Sequence, residues 1–146
     1  MQMYLDLCCL RRPFDDQSQP RIRLESEAVL ALLAVPSDRL LFLRSPAHDL
    51  ENDQNPVIQR AARVRELLAR LPLSEFADQD LVRRIQELQG LGFKNFDAFH
   101  LACAELGGAE VFATCDDRLL KAARREASRL RVRVENPLDL MKEVIP

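Results

Sequence analysis

The sequence predicts an α/β fold in which a mainly parallel sheet is covered by helices on both faces. Three observations carry this. Short apolar, strand-like segments alternate with segments of helical period along the 146 residues. The stretch LLFLR at 40–44 is continuously apolar, as a strand buried on both faces is. Asn-Pro pairs and Gly residues fall between the segments, where they start and stop helices.

The elements follow in order. Residues 2–7 read as a short strand that an acid, Asp6, interrupts. After the turn-like PFDDQSQP, the segment RIRLESEAVLALLAV at 21–35 places Leu24, Ala28 and Leu32 along one side of a helix that Pro36 ends. LLFLR is the second strand, and the polar SPAHDLENDQ at 45–54 reads as its connection. Asn55 and Pro56, as cap and first residue, open a helix over 56–71 that Pro72 closes. Helices are expected over 74–90, ending near Gly90, and over 95–108, capped by Asn95 and stopped by Gly107 or Gly108. Phe96, Phe99, Cys103 and Leu106 keep core spacing in the latter. EVFAT at 110–114 is a third strand, 116–130 a helix, RVRV at 131–134 a fourth strand, and Asn136 with Pro137 opens a last helix over 137–144.

The totals fit one folded domain spanning 1–146, with 47% hydrophobic and 30% charged residues and no low-complexity bias. The longest apolar run, Ala28 to Val35, is too short to span a bilayer, and Asp6 breaks any leader-like pattern at the start. Four cysteines without a CxxC spacing suit a reducing, cytoplasmic setting. A formal net charge of −2 excludes a polycation, so a nucleic-acid partner needs a local basic surface. Residues 118–133 offer one, with Arg118, Lys121, Arg124, Arg125, Arg129, Arg131 and Arg133 against Glu126. The same run also reads as a plain solvated helix face.

Ligands of parallel sheets gather outside the carboxyl ends of strands. Acids sit at those places: Asp6 after the first strand, Asp49, Glu51 and Asp53 after the second, and Asp116 and Asp117 after the third. Asp97 opens a helix. Two carboxylates about 5 Å apart repel by roughly 3 kcal/mol at an effective dielectric near 20, so several in one pocket need protons, basic side chains or a cation. Mg²⁺ or Mn²⁺ suits an oxygen-rich, histidine-poor donor set. Taken singly, Asp97, Asp116 and Asp117 also read as first-turn helix acids. Asp6 is harder to dismiss, because an unpaired acid inside an apolar strand costs several kcal/mol. His100, one turn after Asp97, reads as a structural residue or a site residue. Cys8 and Cys115 flank the acids and read either as buried thiols or as a zinc or redox feature.

The segments MYLDLCCL, FDAFHLACAE and VFATCDDRLL together resemble the PIN-domain nucleases, including the VapC-like toxins of toxin-antitoxin pairs. The likeness runs nearly end to end. It implies a three-layer α/β/α sandwich, one or two Mg²⁺ or Mn²⁺ ions in an acidic pocket, and hydrolysis of RNA phosphodiester bonds. By position, Asp6, Asp97 and Asp116 match the family's first, third and fourth acids. Glu51, six residues beyond Ser45, matches the second, with Asp49 and Glu25 as rivals. Asp6, Asp97, Asp116 and the adjacent Asp117 are then the expected metal ligands, Glu51 completes the catalytic set, and Arg118, Lys121 and Arg125 are expected to meet substrate. The resemblance also implies an antitoxin partner and pairing into a homodimer. Leu7 and His48 depart from the family's usual polar residue and threonine, and Asp117 doubles the fourth acid.

Two rivals stand beside this reading. One is a catalytically quiet PIN-like module that binds RNA or protein. The other is a receiver-like domain, which calls for a lysine at a late strand end, whereas none follows RVRV until Lys142.

Overall fold

The computed structural model describes residues 1–146. Four strands, β1 (Gln2–Leu5), β2 (Leu41–Leu43), β3 (Val111–Ala113) and β4 (Arg133–Glu135), form one parallel sheet in the order β2-β1-β3-β4. Eight helices surround it: α1 (Leu7–Arg11), α2 (Pro20–Leu33), α3 (Pro46–Asp53), α4 (Ile58–Leu68), α5 (Asp78–Gly90), α6 (Asn95–Leu106), α7 (Asp117–Arg125) and α8 (Pro137–Val144).

Strand side chains alternate between two cores, which makes the three layers. Tyr4, Leu43, Phe112 and Val134 point to one face, where they pack with Leu88 of α5, Leu101 of α6 and Leu119 of α7. Met3, Leu5, Phe42, Val111 and Ala113 point to the other, against Leu10 of α1, Leu32 of α2, Val64 of α4 and Leu140 of α8. The expected sandwich is therefore present, with helices on both faces of a fully parallel sheet.

β1 lies inside the sheet, and the chain leaves it first toward β2 and later returns to its other side as β3. The carboxyl ends of β1 and β3 thus flank the switch in strand order, where such sheets form crevices. The seam between them is tight: the Asp6 amide donates to the Ala113 carbonyl at 2.8 Å.

Several boundaries differ from the sequence expectation. The first strand stops at Leu5, because Asp6 caps α1 through a bond from the Leu7 amide at 2.8 Å. The 45–54 connection contains a helix, α3, whose start is tied by the Ser45 amide donating to His48 Nδ1 at 3.1 Å. On α2 the buried positions are Glu25, Ser26, Ala28, Val29 and Leu32, while Leu24 is 48% exposed. Asn55 and Pro56 precede α4 as a turn, with Asn55 Oδ1 accepting from Val57 N, and α4 begins at Ile58. α5 begins at Asp78, four residues later than expected, and closes through Gly92, whose positive φ of 103° suits glycine. α7 ends at Arg125, and a 3-10 turn (Ala127–Arg129) follows.

Two buried acids are held by arginines. Glu25 accepts from Arg12 Nε at 3.2 Å and Asn136 Nδ2 at 2.7 Å, with Arg21 Nε at 3.6 Å. Glu105 takes two bonds from Arg84, at 2.6 and 3.1 Å, and one from the Arg131 amide at 3.1 Å. These acids have structural work, and they set the standard against which the strand-end acids differ.

Candidate active site

Asp6 is 6% exposed and sits where β1 becomes α1. Its Oδ1 accepts from the Leu7 amide, and its Oδ2 accepts from the Thr114 hydroxyl at 2.8 Å and the Cys8 thiol at 3.4 Å. No arginine or lysine pairs with it. Burial, followed by the neighbouring Cys8, pushes its carboxyl well above the usual range. Leu7, though apolar, supplies a bond to the site through its backbone.

A second acid stands beside it. Glu51, in the last turn of α3, accepts from His100 Nε2 at Oε1 over 3.0 Å, and the same nitrogen lies 3.9 Å from Asp6 Oδ1. The ligating atoms of Asp6, Glu51 and His100 all fall within 4.8 Å of one another. The rivals for this position lie elsewhere: Glu25 in its arginine network, and Asp49 against Arg44 at 3.1 Å.

His100 is fully enclosed and bonded at both nitrogens, with Nδ1 2.6 Å from the Tyr4 hydroxyl, which in turn meets Ser45 Oγ at 2.6 Å. Burial works against its protonation, but the bond to Glu51 and the charge of Asp6 outweigh that and raise its pKa. His48 has the opposite fate. Its Nε2 bonds the Leu5 carbonyl at 2.6 Å, it stacks on Tyr4 at 4.5 Å, and burial with the nearby His100 lowers its pKa to about 3. It is a neutral structural histidine.

Asp97, in the first turn of α6, is half-buried and makes no side-chain hydrogen bond or ion pair. Desolvation, then the charge of Asp116, raises its pKa to about 6, with Glu51 adding and His100 opposing. Asp116 caps α7, accepting from Arg118 N at 2.9 Å and Leu119 N at 3.4 Å through Oδ1, which leaves Oδ2 free. Asp97 and Asp116 line one cavity of about 250 Å³ with Lys94 and Arg118. Sequence reading did not assign Lys94 or Tyr4 to the site, and Ser45 served there only to place Glu51.

Asp117 does not join this group. Both its oxygens bond Arg21, at 2.7 and 2.8 Å, and its side chain is 68% exposed. Lys121 and Arg125 are exposed on α7 and have no acidic partner, whereas Arg133 of the same basic run is taken up by Glu143 at 2.7 Å. Phe96, Phe99 and Leu106 are only partly buried, and Cys103 alone of the expected core set is fully enclosed.

The PIN domain family model matches residues 15–125. The chain belongs to the PIN-domain family. PIN domains are generally nucleases. Among solved structures, this PIN domain is similar to VapBC-1 from nontypeable Haemophilus influenzae, determined at 2.2 Å resolution. That similarity has a TM-score of 0.56 and 16% identity over 94% of this chain and 98% of that one, and it establishes a shared fold. No curated protein matches by sequence.

The donor set of the PIN domain fits a hard divalent ion. Asp6 and Glu51 come together at His100, Asp97 and Asp116 line one cavity, and none of the four has the arginine that Glu25 and Glu105 have. The histidine among them is committed at both nitrogens.

Proposed function

We propose that this PIN domain is a Mg²⁺- or Mn²⁺-dependent endoribonuclease, and the toxin of a toxin-antitoxin pair. The observation that carries the reading is Asp97: a half-buried carboxylate with no partner, raised to about 6 by burial and by the facing Asp116. A chain gains nothing in stability from such a group, whereas a bound cation relieves it.

In this proposal Asp6, Asp97 and Asp116 hold the ion, and Glu51 completes the acidic set. When bound, such an ion lowers the pKa of a water and neutralises charge on phosphate oxygens. The chain's own residues do the rest. Leu7 N–H and Thr114 O–H aim the Asp6 carboxylate, and His100 fixes Glu51 beside it. Asp116 keeps one oxygen for the cap of α7 and turns the other to the crevice. Arg118 and Lys94 line the same cavity and offer positive charge to a phosphate, while Lys121 and Arg125 extend that charge along α7.

The proposed partners are RNA, an antitoxin and a second copy of the chain. Leu50, Val57 and Ile58 around the α3–α4 turn, the last 82% exposed, supply apolar surface for a protein partner. No helix is long and apolar enough to cross a membrane, and the proposed setting is the cytoplasm.

The deciding experiment is cleavage of a panel of structured RNAs with Mg²⁺, with Mn²⁺ and with chelator. Cleavage that needs the ion and is lost in Asp6→Asn and in Asp97→Asn supports the proposal. Metal-independent RNA binding without cleavage would assign the chain to the catalytically quiet alternative.

A further inference from the structure

At the Oδ2 edge of Asp6, away from His100, three of the four cysteines meet. Cys8 and Cys9 come from α1, and Cys115 lies two residues past β3. Their sulfurs all fall within 4.8 Å of one another, with Cys9 and Cys115 3.7 Å apart. Two thiolates on one tetrahedral zinc, each at about 2.3 Å, stand about 3.8 Å from each other. Cys9 and Cys115 already stand at that spacing, and Cys8 lies within 4.8 Å of both.

The surroundings are those of a ligating sulfur. The Cys115 amide donates to Cys8 Sγ at 3.3 Å, a bond that orients the sulfur and supports charge on it. Thr114 Oγ1 lies 3.4 Å from the same atom. Cys9 and Cys115 are buried, and the partly exposed Cys8 gives the cluster its side of access. Cys103, enclosed in the opposite core, takes no part.

We infer that Cys8, Cys9 and Cys115 form a binding site for one thiophilic divalent cation of the zinc class, distinct from the carboxylate set. Three sulfurs exclude Mg²⁺ and Mn²⁺, which prefer oxygen. Three thiolates with a divalent ion carry one net negative charge, whereas a monovalent ion leaves two, a heavier penalty in a buried place beside Asp6. Binding releases the thiol protons to solvent and transfers no electron.

The test uses the full chain, reduced and metal-free, titrated with Co²⁺ and then Zn²⁺. A sulfur-to-cobalt charge-transfer band should grow to one equivalent and bleach on adding Zn²⁺. It should persist in Asp97→Asn and in Cys103→Ala, and affinity should fall at least tenfold in Cys9→Ala and in Cys115→Ala. Because those buried variants risk misfolding, alkylation of the wild-type protein followed by mass spectrometry gives a second readout: Zn²⁺ should protect Cys8, Cys9 and Cys115 and leave Cys103 unchanged. Absence of the band, its survival in folded Cys9→Ala and Cys115→Ala, or binding lost in Asp97→Asn instead would overturn the site. None of these readouts depends on RNA cleavage, so failure of the nuclease reading leaves them intact.

Discussion

The His100 imidazole stands between two carboxylates, 3.0 Å from Glu51 Oε1 and 3.9 Å from Asp6 Oδ1. It keeps the two acids from facing each other bare and fixes where Glu51 points. Replacing it with alanine should weaken Mn²⁺ binding about tenfold, the usual scale for a residue that orients ligands. Calorimetric titration on protein whose circular dichroism matches the wild type measures this. Unchanged affinity would assign the ring to packing alone.

Asp97→Asn should abolish cleavage yet stabilise the metal-free protein. Its folded pKa of about 6 lies above the unfolded value, so the native state loses stability as pH rises from the ordinary carboxylate range through 6. Allowing for partial exposure, the gain from the amide at pH 7.5 is about 1 to 2 kcal/mol. Urea unfolding at pH 7.5 should show it, and at pH 4 the difference should vanish.

Ion binding must displace protons from the same acids. Saturating Mn²⁺ should therefore raise the melting temperature more at pH 8 than at pH 5. Equal shifts at the two pH values would argue that the ion sits away from Asp6 and Asp97.

His48 makes the opposite contribution. With its folded pKa lowered to about 3, the unfolded chain takes up a proton that the native state refuses. Stability is full above the ordinary histidine range and falls as pH drops through it toward 3, by an amount on the order of a few kcal/mol. A His48→Gln variant should start less stable at neutral pH and show a shallower acid dependence in urea titrations.

Lys121 and Arg125 are free of acidic partners on the outer side of α7. If they meet RNA phosphates, changing both to alanine should raise KM with little effect on kcat. On single-stranded substrate the slope of log affinity against log salt should flatten by about 1.4, roughly 0.7 for each lost contact.

Much of this was legible in the sequence because burial leaves a plain mark. Asp6 stood out as an acid in an apolar run, and Asp97 and Asp116 by their places at helix starts. α1 was not legible, since LCCLR is as apolar as a strand and too short for its period to decide. α3 was hidden for the opposite reason: only Ala47, His48 and Asn52 are buried, too few apolar residues to show a face. The support beneath the acids was hidden by distance along the chain. Tyr4 meets His100 across 96 residues, and Thr114 meets Asp6 across 108. No local pattern records such pairs.

Asp116 and Asp117 look interchangeable on paper, two equal letters in a row. Asp116 is the extended cap residue of α7 and Asp117 its first helical residue, so the two side chains leave the chain in different directions. Here the first looks into the crevice, and the second reaches outward to fasten the start of α2 through Arg21. The doubled acid thus divides its contacts, one carboxylate on the cap of α7 and the other on Arg21.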